Sequence, residues 1–200
     1  MFLLRKKTKT AILLCLVIVI SISHSLIIFA DSDKNESGTE TLISELRLQL
    51  SNTSEDKIIA VIKDFADIEN HWSREYVGKL NLLEIIAGYG DGRFGPEDTL
   101  KVDEFLKMTL RAMGHKVEEG TTYWAEPYIE LAKEEKVIDE NEFTDYRRAI
   151  LREEAARIIV KAALKTEEAP IPNHTSYAKL RIPDYANIGD TYKQHVLYSY

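Results

Sequence analysis

Cysteine is nearly absent from this chain: one of its 200 residues is cysteine, Cys15. A single thiol cannot close an intramolecular disulfide, so a small secreted fold stapled by disulfides is excluded and stability has to come from a hydrophobic core. Basic residues are also scarce, with 26 Lys and Arg against 33 Asp and Glu and a formal net charge of -7. Such a surface repels nucleic acid at long range, so we expect no nucleic-acid partner, and an anionic ligand has to be held by a local basic pocket.

The N terminus, residues 1–30, carries a pattern of its own. Its first ten residues contain four basic side chains, and residues 11–30 form an apolar run, AILLCLVIVISISHSLIIFA. This order predicts an export signal cleaved after Ala30, and the serines within the run favour cleavage. Because the run is longer than the usual signal core of about 7–15 residues, an uncleaved membrane anchor that contacts the membrane through residues 11–30 stays open as the alternative. Cleavage would leave 22 basic residues against 33 acidic ones, a formal charge of -11.

Residues 31–62 are predicted to be a linker with a short helix. Residues 31–40, DSDKNESGTE, are small and polar, which is typical of a flexible segment. Residues 41–50, TLISELRLQL, place leucines at helical spacing and predict the helix.

The remainder of the chain repeats itself with an offset of about fifty residues. In the two copies, Trp72 aligns with Trp124 and Tyr76 aligns with Tyr128. The aligned segments are residues 65–86 with 121–138 and residues 99–114 with 149–164, and residues 182–200 resemble the opening of a third copy. We therefore divide this part of the chain into repeat 1 (63–118), repeat 2 (119–166), and a spacer with a truncated third repeat (167–200).

Each copy has apolar side chains at the spacing of two amphipathic helices separated by a loop, which predicts an all-α fold. Gly88 and Gly114 are predicted to take the left-handed position that follows a helix. One such hairpin cannot bury its own apolar face, so the copies are expected to pack together. The predicted core positions are Tyr76, Val77, Leu80, Leu83, Val102, Phe105, Leu106, Thr109, Leu110 and Met113 in the first copy, and Tyr128, Leu131, Ala132, Val137, Leu151, Ala155, Ile158, Ile159 and Ala162 in the second.

The loop of the first copy, GYGDGRFGP, holds four of the nine glycines of the chain within eight positions. Asp91 is predicted to hydrogen-bond its own loop, with Gly92 at positive φ. A phosphate-binding loop is disfavoured because no strand precedes the glycines. A calcium loop would place Ala87 and Tyr89 where carboxylates are needed, and His71 has no second histidine or cysteine at metal-ligand spacing. We therefore expect neither a cofactor nor a metal site here.

These residues resemble the S-layer homology domain family. The resemblance rests on Phe65 and Asp67 in an F-x-D opening, on the His71-Trp72 pair, and on the G-Y-x-D-G-x-F-x-P loop. It covers two copies and a truncated third, and it implies an all-α bundle of tandem helix-loop-helix repeats with pseudo-three-fold symmetry, preceded by the signal or anchor helix.

Several properties follow from this resemblance. The family anchors exported bacterial proteins non-covalently to secondary cell-wall polysaccharides, commonly pyruvylated glycans linked to peptidoglycan. The implied protein is thus secreted and associated with the cell wall or S-layer, or anchored in the membrane on the extracellular side. We expect it not to be an enzyme, because the sequence shows no nucleophile elbow, Cys-His pair or paired carboxylates.

The resemblance also implies the residues that contact polysaccharide. An indole offers a flat apolar surface to a sugar, and a guanidinium can bind a carboxylate with two hydrogen bonds. The implied residues are Asp67, Trp72, Gly90, Asp91, Gly92, Trp124 and Arg152. For both tryptophans the favoured alternative is core packing, and for Arg152 the alternative is a solvated helix face. If Arg152 does bind polysaccharide, Arg147 and Arg148 are expected to belong to the same basic pocket.

The chain departs from the family pattern at the start of the second helix of each copy. Val102 stands where the family has its ligand-contacting arginine, and neither copy has the threonine that completes a capping box with Glu104 or Glu154. The second loop, IDENEFTDYRRAI, lacks glycine altogether. These losses keep open an alternative function, a structural or protein-interaction module of a membrane-anchored envelope protein that no longer binds sugar. A third hypothesis is an envelope enzyme whose catalytic domain lies outside this chain.

Overall fold

The computed structural model of the protein describes residue 48 and residues 51–200. The described residues form helices and no named strand, so this part of the chain confirms the predicted all-α class. The helices are α1 (Glu55–Ile62), α2 (Arg74–Leu82), α3 (Val102–Ala112), α4 (Glu126–Glu134), α5 (Arg152–Ala163), α6 (Pro172–Arg181) and α7 (Asp190–Tyr198), with two 3-10 turns, Ala66–Ile68 and Tyr185–Asn187.

The predicted signal or anchor, residues 1–30, lies outside the described residues, as do residues 31–40 and most of the predicted helix at 41–50. Among the residues that are described, none of the helices combines the length and apolar character needed to cross a membrane.

The described chain divides into two compact units. The N-terminal unit comprises the described residues up to Thr99 together with Met108–Lys116, and the C-terminal unit comprises Leu100–Lys107 and Val117–Tyr200. The division falls within α3 between Lys107 and Met108, so the first half of that helix belongs to the C-terminal unit and the second half to the N-terminal unit.

In the N-terminal unit, α1 packs against α2. A Cβ atom added to Gly78 would lie 2.7 Å from Cγ2 of Ile58 and 3.0 Å from Cγ1 of Ile62, so glycine lets the two helices approach closely. Ile58 and Ile62 are buried, and α1 therefore adds a packed helix to the segment that the sequence predicts to be a linker.

The predicted core is almost entirely buried. Tyr76 and Leu131 are only half-buried. Leu151 is 44% exposed, so its assignment to the core is wrong. Leu151 precedes α5 with an extended backbone (φ -84, ψ 152) and therefore lies off the apolar face of that helix. The buried positions of the predicted set are Val77, Leu80, Leu83, Val102, Phe105, Leu106, Thr109, Leu110, Met113, Tyr128, Ala132, Val137, Ala155, Ile158, Ile159 and Ala162.

Helices α2 and α4 end in the same way, on a residue other than glycine in the left-handed conformation. Glu84 has φ 59 and Lys136 has φ 54. After each, a backbone N–H turns back to the helix, from Ile85 to the Leu80 oxygen (3.0 Å) and from Val137 to the Ala132 oxygen (2.9 Å). The prediction that Gly88 takes this position is wrong because α2 ends earlier, whereas Gly114 has φ 90 as predicted.

Helices α3 and α5 each begin with half of a capping box. Glu104 accepts a hydrogen bond from the Lys101 backbone N–H (2.9 Å), and Glu154 accepts one from Leu151 (2.8 Å). Lys101 and Leu151 have no side-chain oxygen to complete the reciprocal bond, as the missing threonines predict.

In the C-terminal unit, α7 packs against α5 and α6. The residues before α3 run antiparallel to those before α5, with a β-bridge between Lys101 and Ala149. The division into two complete repeats and a truncated third stays a prediction. The structure adds that α2 and α4 end in the same way and that α3 and α5 each begin with half of a capping box.

Candidate polysaccharide-binding loop

A single carboxylate organises the loop of the first copy. Asp67, in the 3-10 turn before α2, accepts the backbone N–H of Phe94 at Oδ1 (2.9 Å) and that of Gly95 at Oδ2 (2.7 Å). The Ala66 N–H donates to the Gly92 carbonyl (3.0 Å), so chain segments about 26 residues apart are joined by three bonds. Desolvation raises the pKa of Asp67, but the N–H groups of Phe94 and Gly95 outweigh it and hold the pKa below its usual value.

Glycine is needed in this loop for two different reasons. Gly90, Gly92 and Gly95 have positive φ values of 80, 82 and 77, which side-chain-bearing residues rarely adopt. At Gly88 the reason is space, because an added Cβ would lie 2.4 Å from Cε1 of Phe65 and 2.5 Å from the Arg93 carbonyl oxygen. An added Cβ at Gly90 meets nothing within 4 Å, so this backbone is open to a ligand.

Asp91 forms the predicted turn. Its Oδ1 accepts the Arg93 backbone N–H (3.2 Å), and its Oδ2 accepts Nε of the same arginine (3.0 Å). The Arg93 guanidinium also lies 5.6 Å from the centre of the Tyr89 ring, and the Tyr89 hydroxyl donates to Asp98 (3.0 Å). The turn assignment of Asp91 and the positive φ of Gly92 are thus confirmed, and the Asp91 carboxylate is already paired with a cation.

Trp72 is 40% exposed, so the favoured alternative of core packing is wrong for this tryptophan. Its indole lies between the rings of His71 (centroids 5.3 Å apart) and Tyr76 (6.4 Å). His71 is itself held, because its Nδ1 accepts the Ser73 backbone N–H (3.3 Å), which leaves Nε2–H to donate to Glu97 (3.1 Å). The exposed indole therefore stands on a fixed support, as a sugar platform requires.

Trp124 belongs to the C-terminal unit and is half-buried. Its ring makes edge contacts with Tyr123 (6.2 Å) and Tyr128 (6.1 Å), and the Lys107 ammonium lies 5.2 Å from its centre. Core packing thus accounts for part of the Trp124 side chain, and part of it stays accessible.

Arg152 is the first residue of α5, is exposed, and forms no ion pair with any described residue. The predicted basic pocket around it loses Arg148, whose guanidinium makes two hydrogen bonds to the buried Glu154 (2.9 and 2.6 Å). A guanidinium committed to a buried carboxylate is not available to an anionic ligand.

The start of α3 is closed in a way that the sequence reasoning missed. Val102 is fully buried, and Asp103 is 2% exposed and accepts the Tyr123 hydroxyl hydrogen at Oδ2 (2.6 Å). Burial first, then this bond to a carboxylate, raises the pKa of Tyr123 to about 12. Helical spacing could have predicted the burial of Asp103, because this residue shares a face of α3 with Leu106 and Leu110, both of which are buried.

No group of three or more His, Cys, Asp or Glu side chains within the described residues is placed to hold a metal ion. What the described residues present at the surface is an open glycine backbone at Gly90, an exposed indole at Trp72, and arginines of which only some are already paired with a carboxylate.

Part of this chain matches a known surface protein and a known domain family. A stretch of 49 residues, 24% of the chain, is 39% identical to Cell surface glycoprotein 1 of Acetivibrio thermocellus, and it spans 2% of the length of that protein. No solved structure matches the chain. Residues 64–104, which include Asp67, Trp72 and the glycine loop, match the S-layer homology domain.

Proposed function

We propose that this chain attaches its carrier non-covalently to secondary cell-wall polysaccharide, a pyruvylated glycan linked to peptidoglycan. An S-layer homology domain implies cell-wall anchoring in general, and the similar surface glycoprotein is consistent with an envelope-associated, extracellular location. Both comparisons point to a non-catalytic anchoring module. The finer steps, which glycan is bound and by which residues, belong to the proposal.

The observation that carries this proposal is the coincidence of the matched segment with the loop held by Asp67. The loop exposes backbone at Gly90, where a sugar can approach without meeting a side chain. Asp67 fixes the loop before any ligand arrives, and fixed geometry reduces the entropy lost on binding. In this proposal Gly92 shapes the loop, Asp91 fixes its turn, and the exposed face of Trp72 packs on a sugar ring.

The proposed repeats give Trp124 and Arg152 parallel roles in the C-terminal unit. The accessible part of the Trp124 indole would contact a sugar, and the exposed Arg152 guanidinium would pair with an acidic group. Recognition by such local cations suits a protein whose formal net charge is -7, because long-range attraction to an anionic polymer is absent.

Sedimentation of the purified 200-residue chain with cell-wall sacculi tests the proposal. Sacculi are compared before and after hydrofluoric acid removes the secondary polysaccharide, and we expect binding to intact sacculi and its loss after stripping. Trp72→Ala should weaken binding roughly fivefold or more, as loss of a central aromatic contact does. Leu180→Ala is the matched control, since Leu180 is 87% exposed and lies outside the matched segment.

Arg152→Ala, compared with Arg181→Ala, tests the second unit in the same assay. Equal binding to intact and stripped sacculi would refute recognition of the secondary polysaccharide. Failure of the folded protein to sediment with either would refute wall anchoring altogether.

One observation favours the second candidate function, a structural or protein-interaction module. Val102 is buried and cannot contact a ligand, and the next residue, Asp103, is 2% exposed and bonded to Tyr123, so neither residue offers a contact to a glycan at the start of α3. If this position decided the function, the folded chain would ignore intact sacculi, which is the outcome that distinguishes the two candidates.

A further inference from the structure

The arginines of the C-terminal unit differ in whether a carboxylate of the chain is already paired with the guanidinium. Arg148 is bound to the buried Glu154, and Arg157 forms ion pairs with Asp139 and Glu142. Arg147 is exposed and forms no ion pair with any carboxylate of the described chain, and its guanidinium lies 4.6 Å from the centre of the Tyr123 ring. A guanidinium stacked on a ring keeps its outer edge free to donate hydrogen bonds.

The ring under Arg147 is held rigidly. The Tyr123 hydroxyl donates to Oδ2 of Asp103 (2.6 Å), and Oδ1 of Asp103 accepts the Glu104 backbone N–H (2.8 Å). Because Asp103 is 2% exposed and both its oxygens are bonded, it anchors the tyrosine without offering a carboxylate to solvent. Stacking then restricts Arg147 to one region of the surface before any ligand arrives.

The same tyrosine joins the guanidinium to an aromatic surface. Tyr123 makes an edge contact with the half-buried Trp124 (6.2 Å). Lys107 covers part of that indole, 5.2 Å from its centre, but it is paired with Glu119 (2.5 Å) and so does not compete for an anion. Arg147 also interacts with the Tyr123 hydroxyl, but no carboxylate of the described chain pairs with it. Such a guanidinium beside flat apolar rings fits a sugar that carries a carboxylate.

We propose that Arg147, positioned by Tyr123 and Asp103, binds the carboxylate of an acidic sugar whose ring packs against the Tyr123–Trp124 surface. This inference rests on the proposed function and deepens it by adding a second cation besides Arg152 and by naming the charged group that this cation recognises. The start of α3 has the buried Val102 and no guanidinium, and the inference places a ligand-binding guanidinium in the loop before α5 instead.

Arg181 shows which features matter. It is also exposed, lies 5.4 Å from the centre of the Tyr177 ring, and has no carboxylate partner in the described residues. Its tyrosine, however, is 57% exposed and has neither a buried acid behind it nor a tryptophan in ring contact within the described chain. Arg181→Gln therefore removes the same charge from the same unit without touching the proposed site.

The test measures dissociation constants of the 200-residue chain for intact sacculi, and for sacculi whose carboxylates have been amidated with a carbodiimide. For Arg147→Gln we expect a loss of roughly tenfold or more on native sacculi, as for loss of a hydrogen-bonded charged partner, and little further loss on amidated sacculi. Arg181→Gln should bind native sacculi as the unchanged protein does. Arg147→Lys keeps the positive charge but loses the planar guanidinium, so this variant should bind native sacculi less well than the unchanged protein does.

The outcomes separate this inference from the proposed function. Binding of the unchanged protein to native sacculi, with Arg147→Gln and Arg181→Gln equal to it, would overturn the role of Arg147 and leave wall anchoring intact. An equal loss for Arg147→Gln on native and amidated sacculi would also overturn it, because the residue would then not act through a carboxylate. If the unchanged protein fails to bind native sacculi, the proposed function fails first and this inference falls with it.

Discussion

At the scale of single residues, the loop over residues 88–96 depends on the Asp67 carboxylate and on backbone that only glycine adopts easily. Asp67 joins the turn before α2 to the far side of the loop through two N–H groups. Because these bonds lower its pKa, Asp67 contributes stability that is present above the usual carboxyl pKa and lost as the pH falls through the folded value. Loop shape and carboxylate ionisation are thus coupled.

Gly95→Ala should destabilise the protein more than Gly90→Ala. Both glycines have φ near +80, so each alanine variant carries a backbone penalty of about 1 kcal/mol. At Gly95 the new Cβ would also lie 2.5 Å from Oδ2 of Asp98 and 2.6 Å from Cε2 of Tyr89, whereas at Gly90 it meets nothing within 4 Å. Urea unfolding of the two variants isolates the steric part as their difference. Equal midpoints would contradict the tight packing of Tyr89 and Asp98 around Gly95.

At the scale of elements, helical periodicity predicted helices α2 to α5 and α7 and most of the buried positions, because burial of an apolar stripe determines both. It did not predict α1 or α6, which lie in segments predicted to be a linker and a spacer. It did not predict where α2 ends. The left-handed residue there is Glu84, held by the local bond from the Ile85 N–H to the Leu80 carbonyl. Ile85 and Ile86 are buried directly after it, and their burial outweighs the preference for glycine that pointed to Gly88.

Some features of the candidate site could be predicted from the sequence and others could not. The turn at Asp91 follows from local side-chain chemistry and was predicted. The Asp103–Tyr123 bond joins residues 20 positions apart, which a pattern of local spacing does not contain. The exposure of Trp72 depends on how the turn before α2 packs, which local spacing does not contain either. Side-chain partners across a fold are set by packing, and so the sequence alone placed Arg147 and Arg148 together in one pocket although only Arg148 is bound by Glu154.

The strained end of α4 can be relieved. Lys136→Gly should stabilise the protein by about 0.5 kcal/mol, because φ 54 costs lysine more than glycine loses in the unfolded chain. Glu134→Gly is the control, since Glu134 is exposed and lies within the last turn of the helix, where glycine should destabilise by about 1 kcal/mol. Thermal melts of both variants give the comparison. A lower midpoint for Lys136→Gly would show that the lysine is not strained there.

At the scale of the whole molecule, the division into two units passes through α3. Phe105 and Leu106 belong to the C-terminal unit and Leu110 and Met113 to the N-terminal unit, and all four are buried. A helix forms cooperatively, so neither unit can lose its half of α3 without disturbing the other half. Each unit also holds one of the two tryptophans of the chain, Trp72 in one and Trp124 in the other.

We therefore expect the two units to unfold together. Trp124→Phe leaves Trp72 as the reporter of the N-terminal unit, Trp72→Phe leaves Trp124 for the C-terminal unit, and their fluorescence melts should coincide with each other and with far-UV circular dichroism. Leu106→Ala, a large-to-small change costing about 2–5 kcal/mol, should lower the midpoint that Trp72 reports although Leu106 belongs to the other unit. A Trp72 transition left in place by Leu106→Ala would mean that the N-terminal unit folds without the first half of α3. The polysaccharide contacts that we propose in the two units would then belong to independently stable modules rather than to one cooperative fold.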